Sequence, residues 1–299
     1  MLKAIWIGYV SSLVATALWA GNFVVARALA FAIPPFQFNF WRWVVAFAVI
    51  LPFALPGLKD DWPGVRAHIR YLSLMALIGV TMMNVFIYKA GQTTESLNMA
   101  LIMPATPAVI IILARIFYSE PIGWRKIAGV VTASCGIVVL VSRGSWARLS
   151  ALEFQEGDLW TLGCMGCFAL YSLLMRQRPR EISSAGFNAV VFGLGILFAL
   201  PMTLAEAAFF SLPKLSWPVA WGVLYAGIGS SALAFWFWTV GVDRIGPVKA
   251  GLVYYTVPFF AAIMAKIVLD ENVVAAQLWG GCLIIGGIIC ATLPAHFRR

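Results

Sequence analysis

Long apolar stretches separated by short polar breaks run the whole length of the chain. They fall near 5–26, 36–56, 70–89, 96–117 and 124–142, and again near 157–175, 185–206, 217–238, 247–268 and 274–293. Each is close to the roughly 20 residues that a helix needs to cross a bilayer core. The stretches are uniformly apolar and lack the polar–apolar alternation of a membrane β-strand. They predict an all-α membrane protein with ten transmembrane helices. The breaks carry turn and charge signals, as at Pro34-Pro35, Lys59-Asp60-Asp61-Trp62-Pro63-Gly64, Ser119-Glu120-Pro121 and Arg176-Gln177-Arg178-Pro179-Arg180. The longest gap, Arg143 to Glu156, reads as a linker. The first stretch is long enough to span and has no clear small-residue cleavage site, so it is expected to be a helix and not a signal peptide.

The second set of five repeats the first. Leu101, Pro107, Ala114, Glu120, Gly129 and Gly136 recur 151 positions later as Leu252, Pro258, Ala265, Glu271, Gly280 and Gly287, and basic Arg115 recurs as Lys266. A first repeat over 1–143 and a second over 144–299 follow. An odd number of crossings in each places the second upside down relative to the first. Inverted repeats in an apolar chain mark many transporters, with the substrate site where the halves meet.

Composition removes the soluble alternatives. Of 299 residues, 62% are hydrophobic and 11% charged, and the mean hydropathy is +0.90. No soluble domain hides that much apolar surface. The net charge of +9 follows the positive-inside pattern. With a cytoplasmic N-terminus, Lys3, Lys59, Arg66, Arg70, Arg115, Arg125, Lys126, Arg176, Arg178, Arg180, Arg244, Lys249, Arg298 and Arg299 fall inside, whereas Arg27, Lys89, Arg143, Arg148, Lys214 and Lys266 fall outside. Both termini are then cytoplasmic. The charge is read as topology and an anionic inner leaflet, with no nucleic-acid partner.

Catalytic and metal chemistry find little support. Cys164 and Cys167 have the spacing of a redox or metal pair but no further ligands nearby, and the five cysteines read as small packing residues. His68 and His296 are far apart. No metal or cofactor is expected. The acids all sit in loops or within about a turn of a helix end, so the first helix offers no central carboxylate for proton coupling. Arg42, Lys89, Arg115 and Lys266 approach membrane depth near helix ends and are read as snorkelling to the headgroups. The passage is therefore expected to be close to neutral. Arg115 with Glu120 and Lys266 with Glu271 are expected as end-stabilising ion pairs.

The stretch Ala17-Leu18-Trp19-Ala20-Gly21-Asn22-Phe23, and in each half a Pro followed 13 residues later by Glu and then by a Gly-rich helix, resemble the drug/metabolite transporter superfamily with paired EamA-type repeats. Within it the chain is similar to the YddG-type exporters. The resemblance implies a ten-helix bacterial inner-membrane carrier with a central cavity, exporting aromatic and other neutral amino acids.

Candidate substrate-binding residues follow from polar and aromatic groups at helical spacing. Trp19 and Asn22 share a face of the first helix, and Phe168 and Tyr171 answer them at an offset of 149. Asn84 and Tyr88 lie four apart on the third, Asn98 and Met103 lie on the fourth, and Tyr254 and Tyr255 on the ninth. From the run Phe235-Trp236-Phe237-Trp238, Trp236 is taken to face inward. An unpaired amide in hydrocarbon costs several kcal/mol, which sends the Asn side chains toward protein or a wet passage. A zwitterion would be held there by dipoles and amides, with its side chain on aromatic and Met surfaces such as Met83 and Met103. Pro104, Pro107 and Pro258 are candidate gate elements, either as moving bends or as fixed kinks. The glycines at 129, 136, 280 and 287 are read as close-packing positions. A secondary carrier of amino acids or related small metabolites results. Efflux of drugs or other metabolites is the alternative transport reading, and a membrane-embedded lipid enzyme would need a catalytic cluster that the scattered acids and histidines do not form.

Overall fold

In the computed structural model, residues 2–29, 32–94, 99, 101–209, 216–269 and 275–292 are described. Among them every regular element is helical. The first half comprises α1 (Leu2–Leu29), α2 (Pro35–Ala54), α3 (Leu58–Ala67), α4 (Ile69–Ala76), α5 (Met83–Thr93), α6 (Thr106–Tyr118) and α7 (Trp124–Ser142). The second comprises the short α8 (Trp146–Ser150), then α9 (Glu156–Leu174), α10 (Ser184–Phe209), α11 (Trp217–Leu224), α12 (Ala234–Val253), α13 (Val257–Leu269) and α14 (Ala275–Thr292). Among the described residues seven helical segments are long and apolar enough to cross a membrane, making this a multi-pass membrane protein. The longest, Trp217–Ala261, is broken at Gly246, where φ 80° and ψ 161° precede Pro247. Two shorter apolar helices, Met103–Tyr118 and Leu278–Thr292, accompany these seven.

The irregular turns recur at matched positions. A π-helical turn over Leu77–Met82 joins α4 to α5, and another over Tyr225–Leu233 joins α11 to α12. A 3₁₀ turn over Met103–Ala105 leads into α6, and one over Tyr254–Thr256 leads into α13. Pro107 and Pro258 each stand second in the helix after such a turn. There a missing N–H breaks no intrahelical bond, so the departure from α geometry is carried by the 3₁₀ turn ahead of the proline.

Two features differ from the sequence expectation. The polar break after the second apolar stretch is itself a helix, α3, with Asp60 and Asp61 in its first turn, where the macrodipole favours acids. Arg115 does not pair with Glu120. Ser119 adopts a left-handed conformation (φ 54°) that ends α6 and turns Glu120 away, so Arg115 donates to the Ser119 carbonyl at 3.2 Å while Glu120 takes Arg176. The expected Lys266–Glu271 pair lies outside the described residues and side chains.

The glycine expectation is met in detail. Among the described residues α7 and α14 form the most extensive helix pair. A Cβ on Gly129 would lie 2.4 Å from the Gly287 carbonyl oxygen, and one on Gly136 would lie 2.7 Å from that of Gly280. Small residues thus let the two backbones touch. Gly129 faces Gly287 while Gly136 faces Gly280, so these equivalent helices run antiparallel. The largest apolar core draws on both halves, from Trp43 and Met75 to Phe168, Phe192, Phe235 and Trp238.

Candidate transport site

Trp19 is the centre of the seam between the halves. Its ring lies 5.3 Å from Phe168, 5.7 Å from Phe235, 5.2 Å from Trp238 and 6.0 Å from Tyr254. Its indole N–H donates to the Ser230 carbonyl at 2.9 Å. That carbonyl lies inside the π-helical turn, whose wider pitch displaces backbone groups from α-helical bonding. One turn further along α1, Asn22 accepts from the Ser230 hydroxyl at 3.1 Å. A second equivalent pair sits beside the first: Trp43 and Phe192, also 149 positions apart, meet at 4.9 Å. Phe235 links the two, 5.1 Å from Trp43.

The other candidates distribute unevenly around this centre. Tyr171 is fully buried on the π turn at Gly79 and meets Phe235 edge-on at 5.7 Å. Tyr254 joins the cluster directly, 4.9 Å from Phe168. Tyr255 points the other way, into the core between α6, α7 and α14. Met103 packs with Cys164 and Met165, with Met83 alongside. Asn84 donates to the Val80 carbonyl at 2.6 Å within its own helix, so its amide is spent locally. Pro104 is buried in the 3₁₀ turn before α6. The structure brings Phe235 and Trp238, not Trp236, to Trp19; Trp236 packs at the edge of the core. Asn98 and the side chain of Tyr88 lie outside what is described.

Several polar atoms at this seam are buried without a hydrogen-bond partner among the described residues, including the indole N–H groups of Trp43 and Trp238 and the Tyr171 hydroxyl. Each such group costs about 1–3 kcal/mol if it stays unmatched.

Arg42 corrects the expectation of snorkelling. It is 4% exposed, with Nε donating to the Ser231 hydroxyl at 2.9 Å and the guanidinium over the Trp43 ring at 5.3 Å. Its helix turns it toward α11–α12 and not toward lipid, so the side chain cannot follow its stem to the headgroups. A basic side chain is therefore buried between α2 and the α11–α12 turn, where near-neutral surroundings were expected.

At the end bearing the 176–183 loop, a clasp of charges was missed in the sequence, where the basic run Arg176-Gln177-Arg178-Pro179-Arg180 was its one signal. Arg178, 7% exposed in its side chain, bonds Asp243 at 2.6 Å, and Arg180 reaches the same carboxylate at 3.1 Å. Asp61 of α3 accepts from the Ser183 backbone N–H at 2.8 Å and its hydroxyl at 2.6 Å. His68 meets Glu181 at 2.8 Å. Glu181's own backbone N–H, first, and then His68 hold that carboxyl below its usual range. The clasp joins the first half to the second beneath the aromatic centre. A cavity of about 350 Å³ lined by Glu120, Arg176, Asp243 and Lys249 opens beside it. The cysteines are free, and no cluster of three or more metal-ligating side chains occurs among the described residues.

Paired antiparallel halves with an aromatic, polar-lined seam define a membrane carrier fold. The model of the EamA-like transporter family matches this chain twice, over residues 6–142 and 155–293, and the chain belongs to that family. An uncharacterized transporter of Bacillus subtilis, YetK, is 25% identical over 95% of this chain and 86% of its own length. A probable terminal-alkyne amino-acid exporter of Streptantibioticus cattleyicolor is 26% identical over 78% of this chain and 77% of its own. A solved crystal structure at 21% identity has the same fold, with a TM-score of 0.76 over 98% of this chain and 97% of that one.

Proposed function

We propose that the chain is a ten-crossing secondary carrier exporting amino acids, aromatic and other neutral ones among them, or related small metabolites. The ten crossings take the seven long segments, split Trp217–Ala261 at Gly246, and add the two shorter apolar helices. On this reading the repeats divide between 143 and 144, both termini are cytoplasmic, and the membrane is a bacterial inner membrane. The observation that carries the reading is the pair of equivalent ring contacts, Trp19–Phe168 and Trp43–Phe192, meeting at the seam among buried, unmatched donors. A solute with a flat apolar part fits rings of this kind, and polar groups on it satisfy the donors. The amino-acid exporter among the relatives supports the solute class.

Access alternates between the two membrane faces by rocking of one half against the other. The Arg178–Asp243 and Asp61–Ser183 contacts close the loop-176–183 face in this state, and the turns before Pro107 and Pro258, with Pro104 between Met103 and Ala105, are the bending points. Trp19, Asn22, Tyr171 and Tyr254 hold the solute, with Asn84, Met103 and Trp236 farther out; Tyr88, Asn98 and Tyr255 complete the set of candidate residues. No acid lies at the middle of α1, which favours movement down the solute gradient without a proton. Counterflow of labelled phenylalanine into proteoliposomes, with and without a pH gradient, tests this. Accumulation that is independent of the gradient and lost in Trp19→Ala is expected. No accumulation of any neutral amino acid, with a hydrophobic dye moving instead, would transfer the protein to drug efflux.

A further inference from the structure

Arg42 is a buried cation that the architecture does not require. The register of α2 against α10 at an offset of 149 is secure, because Phe38, Asn39, Leu51 and Pro52 recur as Phe187, Asn188, Leu200 and Pro201. At that offset Arg42 is answered by Val191, which is fully buried in the equivalent place. The groups around Arg42 change as well, a hydroxyl being kept at one position and lost at another. Asn22, Ser230 and Ser231 are answered by Tyr171, Thr81 and Met82. The second half therefore builds this corner with a small apolar residue, and the first half places a full charge there.

Burying a guanidinium is costly without a counter-charge. Arg42 stands seven residues after the start of α2, about 10 Å along the helix axis. Among the described residues no carboxylate pairs with it. Its two hydrogen-bond partners are neutral hydroxyls, Ser231 at 2.9 Å and Ser230 at a long 3.5 Å. Glu206, the acid that reaches α2 from α10, is committed to the backbone N–H groups of Phe36 and Gln37. A guanidinium has five donors in a fork matched to a carboxylate, and here most of the fork is uncommitted. Beside it are the Trp43 face and, through Ser230, Asn22 and the Trp19 indole.

We infer that Arg42 is the carboxylate-binding residue of the transport site. The solute is then a small organic carboxylate whose anionic end replaces Ser230 and Ser231 on the guanidinium while its apolar part rests on the Trp19–Phe235–Trp43 rings. This deepens the transport reading and rests on it, but its test is a preference ratio and not a transport rate.

The full chain is purified in detergent, and the rise in its thermal transition is titrated with phenylalanine and with phenylalaninamide, which share the ring and ammonium and differ in the carboxylate. The wild-type protein is expected to prefer phenylalanine by about tenfold or more, as a charge-assisted pair displaced by an amide implies. Acetate is expected to compete with phenylalanine for the wild-type protein. In Arg42→Gln the preference falls to about threefold or less, and Arg42→Lys restores part of it, as a cation without the fork. Equal binding of the two solutes to the wild-type protein, which needs no variant to fold, overturns the inference. So does an Arg42→Gln protein that keeps the wild-type preference or loses both solutes alike, since Arg42 is then a packing residue. Failure of every amino acid to move in counterflow, with the carboxylate preference intact, instead removes the transport reading and leaves Arg42 as an anion site.

Discussion

Replacing Gly129 by Ala tests whether the α7–α14 contact is set by backbone approach. The added Cβ would lie 2.4 Å from the Gly287 carbonyl oxygen, 2.6 Å from the Ala291 Cβ and 2.7 Å from the Ala291 backbone nitrogen. Two of these neighbours are backbone and cannot turn aside. Relief to an ordinary contact of about 3.4 Å needs the helices to part by roughly 1 Å, and a gap of that size forfeits a quarter to a half of each facing dispersion contact. Overpacking of this kind costs about 1–3 kcal/mol, or about fivefold to 150-fold in the folding equilibrium. Gly287→Ala forces the same opening from the other side, with a Cβ 2.5 Å from the Gly129 carbonyl oxygen. The double variant should therefore cost less than the sum of the singles, by about 0.5 kcal/mol or more. Gly286, one residue away, is the internal control: a Cβ added there would meet nothing within 4 Å, and Gly286→Ala should be neutral or slightly stabilising. The assay is reversible unfolding in mixed micelles followed by helical circular dichroism. Equal costs for Gly286→Ala and Gly287→Ala, or strict additivity of the Gly129 and Gly287 variants, would refute the close-approach argument.

Trp19→Phe keeps a ring among Phe168, Phe235, Trp238 and Tyr254 but removes the donor to Ser230; a loss of about 1 kcal/mol, near fivefold, is expected in phenylalanine affinity by thermal-shift titration. Asp243→Asn leaves Arg178 buried with its charge uncompensated and should destabilise by about 3–5 kcal/mol in the same unfolding assay, more than Arg180→Ala, whose side chain is 65% exposed. Glu181 has a lowered pKa in the fold, so its contribution is fully present above its ordinary value of 4.5 and is lost as pH falls through the lowered one; Glu181→Gln should remove that part of the acid-side loss of thermal stability, and an unchanged acid limb would count against the His68–Glu181 contact. Gly246→Ala meets no neighbour within 4 Å but must adopt φ 80° with ψ 161°, so it should lower stability by about 1–3 kcal/mol through strain alone, read in the same unfolding assay.

Helix type and the two-fold organisation were legible because they rest on periodic, local signals. The glycines at 129, 136, 280 and 287 needed only their spacing and a repeat to be read as close-packing positions, while their contact with one another is seen only in the fold. Trp19, Asn22 and Phe168 were placed at the seam by the same repeat. Within the run Phe235 to Trp238 composition alone did not decide which rings turn inward; the fold brings Phe235 and Trp238 to Trp19, beyond a π turn over Tyr225–Leu233 that changes the helical phase. Arg42 was misread because a basic residue near a helix end ordinarily snorkels, and only the neighbouring helix shows that its route to the headgroups is closed. The clasp at Arg178 and Asp243 joins residues 65 positions apart, and nothing local marks them as partners.

The wide turns at Leu77–Met82 and Tyr225–Leu233 hold surplus chain. When such a surplus migrates by one residue, the side chain it passes swings by about 100° and advances by about 1.5 Å while the helix stays whole. Ser230 and Ser231 lie inside one of these reservoirs of slack, and Gly79 and Val80 inside its counterpart. A few residues' drift of that slack would therefore re-aim hydroxyls and small side chains at the midline without melting any span, and each half carries its own supply.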